Sequence, residues 1–123
     1  MSPRRHKVRL EFNSFYIAGS RDIDVPRAVG GAAFATNRHC INVGSRMWHD
    51  AEIWIALGRP EEVHLAEKPA LDRSILTPDR HVLLFDANHP ELMRLQVASS
   101  NTRIRVWTNH PTEPDEIIVV AGR

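Results

Sequence analysis

The chain has 123 residues, 42% of them hydrophobic and 25% charged, which fits one domain with its own core and excludes general disorder. Sixteen Lys and Arg nearly balance fifteen Asp and Glu, for a net charge of +1, so an overall charge strong enough to demand nucleic acid is excluded. No apolar run approaches the roughly 18 residues of a membrane-spanning helix, and the one cysteine, Cys40, cannot form an internal disulfide.

The N-terminus carries Arg4, Arg5, Lys7 and Arg9 without the apolar segment of a secretory signal, so a cytoplasmic location is expected, with residues 1–6 as a disordered basic arm. Val8, Leu10 and Phe12 alternate with Lys7, Arg9 and Glu11, the period of a half-buried strand. Phe15 to Ala18 either extends it past a bulge or starts a second strand. Residues 19–31, with Pro26 and paired glycines, read as a loop. Ala32 to Thr36 and Cys40 to Gly44 flank Asn37-Arg38 as a hairpin would.

Ile53, Ile55 and Leu57 alternate with Glu52, Trp54 and Ala56, predicting a strand that ends at Gly58; Val63 and Leu65 continue the alternation after Arg59-Pro60. Residues 66–80 contain Pro69 and Pro78 and predict a long irregular connection, with room for a short helical turn over 70–76. His81 to Phe85 is a dense apolar run, and Met93, Leu95 and Val97 form one face of the next strand. Ile104 and Val106 then alternate with Arg103, Arg105 and Trp107, and a turn holding Pro111, Glu113, Pro114, Asp115 and Glu116 leads to Ile117–Val120, apolar throughout and expected to be covered on both sides. About eight short strands with little or no helix predict an all-β protein, an antiparallel β-sandwich in one domain over 1–123. A closed barrel is the alternative.

No catalytic pattern emerges. Cys40 and His39 are adjacent in a strand and point to opposite faces, so they form no dyad. Gly30-Gly31 lacks the lysine and helix of a phosphate loop, and Ser14, Ser45 and Ser74 lie in no nucleophile elbow. Seven histidines show no helical metal spacing. His49-Asp50 with Glu52, or His89 with His110, are the best combinations, and scattered surface histidines explain them more simply. Asn88-His89-Pro90 and Asn109-His110-Pro111 repeat a three-residue start, which turn chemistry alone produces. No cofactor, no metal and no enzymatic activity are expected.

The residues left over suit recognition of a protein. Residues 1–50 hold eight basic against four acidic residues, whereas 51–123 hold eight against eleven. The acidic stretch Asp50, Glu52, Glu61, Glu62 and Glu67 suits a basic partner. Trp54 and Trp107 fall opposite their aliphatic neighbours, Trp48 is a third aromatic candidate, and tryptophan beside arginine is the composition of an interface hot spot. The face Arg103, Arg105, Trp107 is expected to lack partners in its own layer. The candidate contact set is therefore Glu52, Trp54, Glu61, Glu62, Arg103, Arg105, Trp107, Glu113 and Asp115. The alternative is a small nucleic-acid-binding β module using the arginine and aromatic face. The acidic remainder of the chain weighs against it.

In its order of parts the chain resembles the small bacterial inhibitors of the competence-J type, and related immunity proteins of toxin systems. Ser14-Phe15-Tyr16-Ile17 follows the opening strand, Glu52 to Leu57 is followed by a linker ending in Thr77-Pro78-Asp79-Arg80, and then come HVLLFD, LMRLQV, TRIRVW and PDEIIVV. The resemblance covers most of the chain as an arrangement. It implies a β-sandwich fold and a role in masking a nuclease, with no individual inhibitory residue carried over. The combined expectation is a non-enzymatic binding protein that neutralises a partner protein, an immunity protein or inhibitor of a bacterial nuclease or other toxin.

Overall fold

A computed structural model describes residues 4–8, 14–27, 32–44, 52–111 and 114–122. Within them lie ten strands: β1 (Arg4–Val8), β2 (Ser14–Ala18), β3 (Phe34–Thr36), β4 (Cys40–Gly44), β5 (Ile53–Gly58), β6 (Leu71–Leu76), β7 (His81–Phe85), β8 (Met93–Gln96), β9 (Asn101–Thr108) and β10 (Glu116–Ala121). They form two five-stranded sheets, ordered β1-β5-β10-β9-β6 and β3-β4-β2-β7-β8. The molecule is an all-β sandwich. Every ladder is antiparallel except β5–β10, which runs parallel because the chain visits the edge strand β6 and then the second sheet before β10 enters between β5 and β9.

The alternation in the sequence becomes the two faces of each strand. Ile53, Ile55 and Leu57 of β5, Ile104 and Val106 of β9, and Ile117 and Val119 of β10 point inward. They meet Phe15, Ile17, Ile41, Val43, Val82 and Leu84 from the facing sheet. Each such side chain contributes about 1.5–3 kcal/mol by leaving water, so this interlayer defines the stability of the fold. The outer face of the second sheet is covered too: Ala18, Cys40, Leu83 and Phe85 pack beneath Ile23 and Val25 of the segment after β2. Cys40 is fully buried there, and burial pushes its thiol pKa up to about 12.

Several expectations change. Arg4–Val8 pairs with Ile53–Leu57, so residues 4–6 belong to a strand and not to a disordered arm; residues 9–13, which include the rest of the expected first strand, lie outside the described residues. Residues 60–62 form a 3₁₀ turn in which the Arg59 N–H donates to Glu62 Oε1 at 2.8 Å, so the alternation does not run on through Val63 and Leu65. Leu71–Leu76 is a strand, where an irregular connection or a helical turn was expected. Asp72, Arg73 and Ser74 conceal its period because an edge strand exposes polar side chains, and pairing with β9 decides its conformation. The repeated Asn-His-Pro segments are built differently. Asp86 organises the first by accepting from the Asn88 and His89 N–H groups, whereas the Asn109 side chain organises the second through Asp115 and Glu116. No helix among the described residues is long and apolar enough to cross a membrane.

Candidate functional site

The outer face of the β1-β5-β10-β9-β6 sheet carries the features that packing leaves unused. Strand register places Arg5, Ala56, Ile118 and Trp107 in one row across four strands, with Lys7, Trp54 and Glu116 in the next. Along β5 the outward positions shrink from Trp54 to Ala56 to Gly58, leaving a depression beside a tryptophan. The segment after the 3₁₀ turn, residues 63–70, folds back across this depression as a strap. The strap is anchored to the sheet where the Trp107 Nε1–H donates to the Glu67 carbonyl at 2.8 Å and the Ala70 N–H donates to the Val106 carbonyl at 2.8 Å. Between strap and sheet lies a groove of about 700 Å³, within the range of pockets that hold a ligand or an inserted side chain. Ala56, Ile118, Trp54 and Trp107 give it an apolar bed, and Val63 and Leu65 line it from the strap.

Trp54 stands at this groove with 38% of its surface exposed. The Arg5 guanidinium lies 4.8 Å and the Lys7 ammonium 5.5 Å from its ring centre. Two cations on one indole hold the ring in place from the edge strand. Their charges are matched in turn by Glu116, 3.9 Å from Arg5, and Glu52, 3.1 Å from Lys7. The aromatic anchor is thus preset while its outward surface stays in water, an arrangement that lowers the ordering cost of an incoming group.

The structure brings Trp54, Trp107 and Glu62 together on the groove wall, with Glu52 beside them through Lys7. Glu61 is exposed on the 3₁₀ turn and does not line the groove. Asp115 is turned into its own hairpin, where Asn109 Nδ2 donates to its Oδ1 at 2.6 Å. Trp48, His49, Asp50 and Glu113 lie outside the described residues. The expectation that Arg103, Arg105 and Trp107 lack partners in their layer is corrected. Arg103 donates through Nε to Asp72 Oδ1 at 2.8 Å and through Nη2 to the other oxygen, and this bidentate bond holds the Asp72 carboxyl below its usual pKa. Arg105 Nη2 reaches the Gly122 carbonyl at 3.4 Å, and Trp107 holds the strap. Among the described residues no group of three His, Cys, Asp or Glu side chains is placed to hold a metal ion.

Sequence reasoning named Arg5 only as part of a basic arm, and it missed Ala56, Ile118, Lys68 and the strap itself. A legible signal existed in the Trp-Ala-Gly series at 54, 56 and 58, followed by a segment bounded by Pro60 and Pro69 that carries Val63 and Leu65. Small outward residues beside a tryptophan, next to a loop with its own apolar residues, mark a sheet face that a loop covers incompletely.

The architecture defines the class: a two-sheet β-sandwich with a groove on the outer face of one sheet. No family model matches the chain, and no curated protein matches it in sequence. Among solved structures its fold is similar to that of ComJ from Bacillus subtilis, an inhibitor of the DNA degrading activity of NucA, with a TM-score of 0.70 and 10% identity over 99% of this chain and 96% of that one. It is also similar to the protein of crocagin biosynthetic gene J, with a TM-score of 0.56 and 9% identity over 99% and 98% of the two chains. At such identities the likeness is one of fold.

Proposed function

We propose that this protein is a non-enzymatic cytoplasmic inhibitor that binds a partner protein, a bacterial nuclease or other toxin, and neutralises it as an immunity protein does. The observation that carries this reading is the end-to-end likeness of the fold to ComJ, a nuclease inhibitor. The exposed Trp54 beside an apolar groove supports it, because a few desolvated aromatic anchors ringed by charge are how protein interfaces concentrate affinity. Inhibition by occlusion needs no catalytic group; it needs a rigid surface that covers the partner's active site. The paired cations on Trp54 and the strap fastened by Trp107 supply such rigidity.

The nucleic-acid reading is weaker on this geometry, since Arg103 already spends its guanidinium on Asp72. The deciding experiment is co-expression with the toxin or nuclease encoded beside this protein's gene. Cells that make the toxin should survive only when this protein is made as well, and the purified pair should migrate as one complex. Death of the cells despite abundant soluble inhibitor would refute the proposal.

A further inference from the structure

Resting on the inhibitor reading, we infer that the groove under the strap receives an extended segment of the partner protein, which inserts an aromatic side chain over Ala56 and Ile118 and places a basic residue against Glu62 and Glu67. Three observations point to that occupant. The bed of the groove is apolar and contains two tryptophans, so it rewards burial of a large ring. The strap that supplies Val63, His64, Leu65, Glu67 and Lys68 to its lining has backbone left over: among the described residues no N–H from Val63 to Lys68 has a bonding partner, and of their carbonyls only that of Glu67 is used, by Trp107. Free main-chain donors and acceptors on a segment beside an apolar trough suit an extended peptide, with main-chain bonds supplying affinity and the pocket supplying specificity.

Charge gives the third observation. Glu62, Glu67 and Glu116 line the groove against Arg5 and Lys68, and Arg5 is already held by Glu116 and the Trp54 ring. What remains is two carboxylates against one ammonium. That excess repels phosphate and attracts a cationic segment. A nuclease must present such segments, because it neutralises DNA phosphates with lysine and arginine. The same chemistry that lets the partner hold DNA would let this groove compete for it.

The test uses the full chain and a capped peptide of sequence lysine-valine-phenylalanine-valine-lysine, followed by amide and indole NMR shifts. Saturable shifts confined to residues 63–68 and the indole N–H groups of Trp54 and Trp107 are expected, with a dissociation constant of about 1 mM or tighter. Trp54→Ala, at an exposed position that leaves the core intact, should weaken binding about tenfold. Ala70→Trp, which fills the groove from an exposed position on its wall, should abolish it. Replacing the peptide's phenylalanine by serine, or its lysines by glutamates, should also remove the effect. Absence of shifts at about 1 mM, shifts elsewhere on the molecule, or displacement of the peptide by a short DNA duplex bound in the same groove would overturn the inference. Rescue of cells by wild type and equally by Trp54→Ala, with no peptide bound, would leave the inhibitor reading standing and the groove refuted. Peptide bound in the groove with no rescue by wild type would do the reverse.

Discussion

Replacing Trp107 by phenylalanine tests whether one hydrogen bond fastens the strap that roofs the groove. An aromatic ring is kept in the row containing Ile118, while the indole donor to the Glu67 carbonyl at 2.8 Å is lost together with the part of the bicyclic ring that carries it. Between the Arg59–Glu62 turn and the Ala70–Val106 bond, this is the one hydrogen bond from strap to sheet among the described residues. A hydrogen bond of this kind contributes about 0.5–1.5 kcal/mol net. Glu67 is exposed, so its released carbonyl regains water and the loss should fall in the lower half, about 0.5–1 kcal/mol. That corresponds to a roughly two- to fivefold larger population of strap-open molecules, and to a thermal midpoint lower by about 2–5 °C. A glutamate-specific protease reads the open state directly, through cleavage after Glu67. Its rate on Trp107→Phe should rise two- to fivefold, roughly, when opening is fast relative to cleavage. Trp107→Ala, which also uncovers the apolar bed, should be cut faster still. Cleavage of Trp107→Phe at the wild-type rate, with Trp107→Ala cut rapidly, would show that ring packing holds the strap and that the indole bond does not.

Four further outcomes follow from the packing. Gly19→Ala should cost about 1–3 kcal/mol in urea unfolding, because an added Cβ would lie 2.7 Å from the Leu76 carbonyl oxygen and 2.9 Å from Thr77 Cα, both backbone atoms. Thr77→Val should cost about 1–3 kcal/mol, since Thr77 Oγ1 sits 2.7 Å from both Thr102 Oγ1 and the Ser99 carbonyl in a buried site; adding Thr102→Val should recover part of the loss, and strict additivity would argue against coupling. Cys40, buried and with its thiol pushed up to about 12, should resist a thiol reagent in the native protein at pH 8 and react at once in denaturant; rapid native labelling would contradict the packing beneath Ile23 and Val25. Asp72 has its pKa lowered from 3.8 by Arg103, so its contribution is present above about pH 3.8 and is lost as the pH falls through the lower folded value. Asp72→Asn should flatten the acid limb of stability, less so in high salt because the pair is exposed, and an unchanged acid limb would count against the bond.

The parts of this fold legible in the sequence are those where burial differs between the two faces of a strand. Ile53, Ile55 and Leu57, and likewise Ile104 and Val106, alternate with outward residues, and the strands stand where that alternation puts them. The strand β6 was illegible for the converse reason. As the edge beside β9 it buries only Ile75 fully and shows Asp72, Arg73 and Ser74 to water, so its period vanishes. Those polar residues also discourage pairing with another chain, and what hides the strand from a reader is therefore what protects it in solution. Tryptophan positions were readable as outward-facing, but the groove was not, because it exists only when register sets Arg5, Ala56, Ile118 and Trp107 side by side and the strap returns over them. The same limit explains the arginines. Counted along the chain, Arg103 and Arg105 look like free charge awaiting a ligand. Register sets Arg103 opposite Ser74 and Asp72 opposite Arg105, so Arg103 reaches diagonally to Asp72 as half of a cross-strand ion pair, and the surface left to recruit a partner moves from the arginine end of the face to the tryptophan end. Which charges on a sheet are available is decided by strand order, and strand order is what one sequence conveys least.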